Sequence, residues 1–61
     1  MELKNNYSEA RNNLGRVLIE VGQYDKAISE LRIVLKDLTY PDAPKALTNL
    51  SLAYFRGGQF A

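Results

Sequence analysis

A chain of 61 residues is one small domain at most, and chains this short hide only about 60% of their unfolded surface, which leaves little material for a catalytic cleft. Eight lysines and arginines against seven acidic residues give a net charge of +1, dispersed along the chain, so no nucleic acid, acidic substrate or membrane surface is indicated as a partner. The lack of Cys and His removes disulfides, thiolates, the usual zinc ligands and the commonest general base, and no apolar run approaches the roughly 20 residues of a bilayer span or forms a leader-type apolar segment at the start.

From Tyr7 to Val21 the residues Ala10, Leu14, Val17, Leu18 and Val21 recur at steps of three and four, which predicts a first amphipathic helix. Asn6, with Glu9 three residues on, is placed to cap its start. Gly22 ends the pattern. A second stripe, Tyr24, Ala27, Ile28, Leu31, Val34, Leu35 and Leu38, predicts a helix over 24–38, with Lys26, Ser29, Glu30, Arg32 and Lys36 toward solvent. So short a connection makes the two helices an antiparallel pair. Tyr40, Pro41 and Asp42 break the second helix, because proline lacks an N–H and restrains the residue before it. Asp42 is then an N-cap, Pro44 sits acceptably in a first turn, and Leu47, Leu50, Ala53 and Tyr54 stripe a third helix over 43–56, stopped by Gly57 and Gly58. The fold class expected is all-α: a helix hairpin plus one further helix.

The chain repeats itself. Ala10 and Ala46, Asn13 and Asn49, Leu14 and Leu50, Gly22 and Gly58, Gln23 and Gln59, and Tyr24 and Phe60 each stand 36 residues apart. Self-similarity at this period is the mark of helical arrays whose units bury apolar faces against their neighbours.

Within the first unit, Leu14-Gly15, then Gly22-Gln23-Tyr24 and Ala27, resembles the tetratricopeptide repeat pattern of L-G, G-x-Y and A. Small residues at Gly15 and Ala27 suit a close approach of two helices, Leu14 fills the space between them and Tyr24 the elbow. The sequence departs from the family in having Arg11 where Trp is frequent, Ser51 where the first unit has Gly15, and a period two longer than the usual ~34, the excess falling in the loop 39–42. Read this way, 1–6 is the tail of a preceding repeat, 7–41 one complete repeat, and 42–61 the first helix and turn of a second, so the chain is expected to be a fragment of a longer array.

The resemblance implies an interaction scaffold and no enzyme, with no cofactor or metal. Its first helices would line a concave face that holds a peptide or partner protein, through Asn12, Asn13, Arg16, Ile19 and Glu20 in the first unit and Thr48, Asn49, Leu52, Phe55 and Arg56 in the second. Asn13 and Asn49 are equivalent positions, and an amide offers both donor and acceptor to a bound peptide backbone; solvated helix residues are the alternative. Ile19, Leu52 and Phe55 fall off the main stripe, which suits either an interaction surface or packing against an adjoining repeat. A carboxylate clamp would need several converging basic residues, and only Arg16 and Lys45 are offered.

The segment L-T-Y-P (38–41) followed by N-L-S (49–51) is also similar to the tetratricopeptide lipoproteins of type IV pilus assembly, which carry a comparable Tyr-Pro loop before an N-L-G helix. That similarity implies a periplasmic, outer-membrane-associated protein that assists a secretin; otherwise the expected location is cytoplasmic. RNA binding in the manner of pentatricopeptide arrays, or a purely structural repeat, are the alternatives. Phosphate contacts would call for more positive charge than +1. With no following helix to cover Leu47, Leu50, Ala53 and Tyr54, self-association through the third helix is expected.

Overall fold

The computed structural model describes residues 3–58, with side chains from Tyr7 onward; Met1, Glu2 and the Gln59 and Phe60 of the repeat pairs lie outside them. The protein is all-α: α1 (Leu3–Glu20), α2 (Tyr24–Lys36) and α3 (Ala43–Gly57), 81% helical with no strand among the described residues. α1 and α2 form an antiparallel hairpin and α3 packs back on α2, touching α1 over a smaller area. The Cα trace measures 38 × 20 × 14 Å, one thin slab of helices.

Two expected boundaries shift by two residues or more. α1 begins at Leu3, so Asn6 lies inside the helix and not at its N-cap position. α2 ends at Lys36, not Leu38: Asp37 adopts an extended backbone (φ −84°, ψ 99°), and its carboxylate accepts both the N–H (3.0 Å) and the hydroxyl (2.6 Å) of Thr39. This local turn competes with another helical turn, and it throws Leu38 outward at 95% exposure. Asp42 occupies the N-cap of α3 as expected, but makes no side-chain cap bond; its carbonyl takes the Lys45 N–H (3.0 Å), and its carboxylate lies 4.0 Å from the Lys45 ammonium.

The repeat is visible in the backbone. Gly22 (φ +86°) and Gly58 (φ +68°), 36 apart, both take the left-handed conformation that other residues avoid. At Gly22 the closure is a Schellman motif: Gln23 donates to the Leu18 carbonyl (2.8 Å) and Gly22 to Ile19 (3.1 Å).

α2 is the shared middle. Ala27, Ile28 and Leu31 join Ile19 of α1 and Ala53 of α3 in one buried cluster, flanked by Leu18, Tyr24, Leu50, Leu52 and Tyr54. Val34, Tyr40 and Ala46 make a second, with Leu35 against it. The close approach expected at Gly15 is present: a Cβ there would lie 2.7 Å from Leu31 Cγ and 2.8 Å from its Cδ2. The expected stripe of α1, however, is not its buried face. Leu14, Val17 and Val21 are 45%, 55% and 64% exposed, and Ala10 is exposed too, while Ser8, Asn12, Gly15 and Ile19 turn inward. Glycine opposite Leu31 allows the hairpin to close most tightly along that line, which rotates the more apolar stripe away from α2.

Candidate functional site

Two features join α1 to α3, one buried and polar, the other exposed and charged. The buried one starts at Asn49, which donates from Nδ2 to Asn12 Oδ1 (3.1 Å); Asn12 Nδ2 lies 3.5 Å from the Tyr40 hydroxyl, and that hydroxyl donates to Glu9 Oε1 (2.8 Å). Ser8 Oγ donates to Asp37 Oδ2. These side chains tie α1 to the α2–α3 loop and to α3, and no described buried side-chain N or O lacks a partner. A satisfied polar network of this kind fixes one register among the packings that apolar contacts alone would allow. Burial first, then the hydrogen bond to Glu9 and the nearby carboxylates of Glu9 and Asp42, push the Tyr40 pKa up from 10.0 to about 12.

The exposed feature is a line of charge across the α1–α3 seam. Glu20 accepts from Arg16 Nε at 3.1 Å, one turn away on α1, and its Oε2 lies 3.7 Å from an Arg56 guanidinium nitrogen on α3. All three side chains are about half exposed, between 41% and 52%. Two guanidinium groups share one carboxylate, so the cluster keeps one positive charge. Exposed ion pairs of this type contribute ~0–1 kcal/mol, and Glu20 can therefore yield a guanidinium to an incoming anion at small cost.

The ten residues singled out from the sequence divide by burial. Asn12, Ile19 and Asn49 are interior, at 1%, 1% and 7% exposure. Asn13 and Asn49, equivalent in the repeat, therefore sit in opposite environments: Asn13 faces solvent and Asn49 is spent on Asn12. Arg16, Glu20 and Arg56 are brought together. Leu52 is half-buried, and Phe55 stands 69% exposed on α3, one position before Arg56. Thr48 is exposed, and its hydroxyl donates to the Pro44 carbonyl of its own helix (3.0 Å).

Sequence reasoning missed Tyr40, read as part of a helix break and found as a buried plug between Val34 and Ala46. Its position beside Pro41 gave the break; its ring, in a short loop that must cross the end of the core, was the available signal. Asp37, at the end of α2, accepts hydrogen bonds from the hydroxyls of Ser8 and Thr39.

Among the described residues no group of three or more acidic side chains is arranged to hold a metal ion, and no helix is long and apolar enough to cross a membrane. Compared with protein-family models, curated proteins and solved structures, the chain matches none.

Proposed function

We propose that this chain is a protein-interaction scaffold, not an enzyme, and that it binds a peptide or partner protein along the exposed α1–α3 seam. The observation that carries the reading is the Arg16–Glu20–Arg56 cluster that bridges the two helices, on a helix whose Phe55, the residue before Arg56, is a large aromatic left 69% exposed. Aromatic and arginine side chains together are the residue types that dominate binding energy at protein interfaces. Asn13 and Thr48 supply polar rim on the two helices, and Leu52 a partly covered apolar floor. The residual positive charge favours a segment that brings a carboxylate. The Tyr-Pro loop and N-L-S similarity narrows the proposed partner to the C-terminal segment of a secretin.

The test is selection of binders from a randomised 12-residue peptide display library on the immobilised chain, followed by NMR mapping of an enriched peptide. The expected result is a set of shifts at Asn13, Arg16, Glu20, Leu52, Phe55 and Arg56, with Phe55→Ala and Arg56→Glu each weakening binding roughly tenfold or more. Shifts confined to the far side of α2, or no enrichment at all, reject the seam. A secretin C-terminal peptide that causes no shifts removes the narrower partner while leaving the general reading in place.

A further inference from the structure

Tyr7, Ala10, Leu14, Val17 and Val21 run along α1 and its end at steps of three, four, three and four. This is the a/d spacing of a coiled-coil seam, sustained for two heptads. All five are exposed, Tyr7 at 68% and the others as given above, so the seam is open from end to end. It lies away from the Gly15 and Ile19 face that packs on α2 and away from Arg16, which belongs to the charged cluster. Two shallow concavities of about 270 and 570 Å³ continue it sideways into the α1–α2 groove; Tyr7, Ala10 and Leu14 line the first, Leu14, Leu18 and Lys26 the second.

We propose that this seam is a homodimer interface, occupied by α1 of a second copy running antiparallel. Three observations select that occupant. A heptad seam is complementary to another of the same spacing, and an identical copy provides one in an isologous, two-fold arrangement. Antiparallel pairing about the level of Asn12 sets Ala10 opposite Leu14 and Tyr7 opposite Val17, a smaller residue against a larger one in these two layers, as close packing favours. The rim does not oppose it: Asn13 is uncharged, and Arg11, on the other side, is already paired with Glu30 at 2.9 Å. The apolar residues of α3 do not offer the same surface. Leu47 and Phe55 are exposed, but Pro44, Thr48 and Ser51 interrupt them and no heptad spacing joins them. The dimer therefore forms through α1, not through the third helix.

Sedimentation equilibrium of the whole chain between micromolar and millimolar concentration tests this. The expected result is a mass rising to twice 6.9 kDa. Leu14→Glu and Val17→Glu should each raise the dissociation constant roughly 100-fold, while Leu47→Glu leaves it within about a factor of three. Circular dichroism reports whether the variants retain helix. Because a charged variant could fail to fold, a second assay uses the natural absence of cysteine. Single Ala10→Cys and Leu14→Cys chains, oxidised in mixture, should give a cross-linked dimer that neither gives alone. A wild-type monomer up to millimolar concentration overturns the proposal. So does dissociation by Leu47→Glu but not Leu14→Glu, or cross-linking of Leu14→Cys with itself, which would mean a parallel pair.

Discussion

In α1 the residues turned inward are Ser8, Asn12, Gly15 and Ile19; in α3 they are Ala46, Asn49 and Ala53. Moved by the 36-residue repeat, the first set becomes Pro44, Thr48, Ser51 and Phe55, all exposed, and the second becomes Ala10, Asn13 and Val17, also exposed. Two helices at equivalent repeat positions thus bury opposite faces. The cause is that one α2 serves both: α1 lies against one flank of Ala27, Ile28 and Leu31, and α3 against another. A repeat helix of this kind has two faces able to pack, and the identity of the residue decides less than which neighbour is present.

The largest effect should come from truncating the equivalent pair Ile19 and Phe55. Ile19 is 1% exposed inside the main cluster, so Ile19→Ala removes buried methylenes and leaves a cavity, at about 2–4 kcal/mol. Phe55 is 69% exposed, and Phe55→Ala should change folding by less than about 0.5 kcal/mol although it deletes the larger side chain. Urea denaturation of both variants measures the difference. Equal losses would mean that α3 buries the same face as α1.

The second effect is alkaline and probes the polar pin that belongs to α1 and the loop beside α3. The Tyr40 pKa is raised to about 12 in the folded chain against 10.0 ordinarily, so the folded state holds this proton more tightly. Its contribution is complete below pH 10 and is lost as pH rises from 10 through about 12. Two units correspond to roughly 2–3 kcal/mol. Stability measured from pH 9 to 12 should fall more steeply for the wild type than for Tyr40→Phe, which has no proton to lose. In absorbance at 295 nm, one of the four tyrosines should ionise late. Parallel pH profiles for the two chains would show that the hydroxyl is not buried against Glu9 in the folded chain.

Fold class, the three helices, the glycine stops and the tight spot at Gly15 were legible because each depends on local spacing or on a residue with one conformational use. The inward face of α1 was not. Ala10, Leu14, Val17 and Val21 form its more apolar stripe, and a hydrophobic pattern cannot indicate whether the partner of that stripe belongs to the same chain. Asn12 and Asn49 look like solvated helix residues until the hydrogen bond between them is seen, since an amide fits either water or a buried partner equally well. Of the candidate seam, Arg16, Glu20 and Arg56 could be placed on one side by helical steps. The charge pairing across α1 and α3 depends on Ile19 and Ala53, one position before Glu20 and three before Arg56, meeting in the first core cluster, a long-range contact that local spacing does not give.

The smallest effect sharpens the comparison most, because it concerns two small residues at the same repeat position. In α1, Gly15→Ala puts a methyl 2.7–2.8 Å from Leu31 Cγ and Cδ2, and Leu31, fully buried, has little room to retreat. Over-packing of this sort costs about 1–3 kcal/mol, while alanine gains up to ~1 kcal/mol over glycine as a helix former, so the net loss should be about 1 kcal/mol. In α3, Ser51 is exposed, and Ser51→Ala meets no neighbour; only the helix preference remains, a gain of a few tenths of a kcal/mol. The same product residue at equivalent positions should therefore shift the urea midpoint in opposite directions. A loss at Ser51→Ala comparable to that at Gly15→Ala would require a helix packed on the Ser51 face in solution, which would move the self-association surface from α1 to α3.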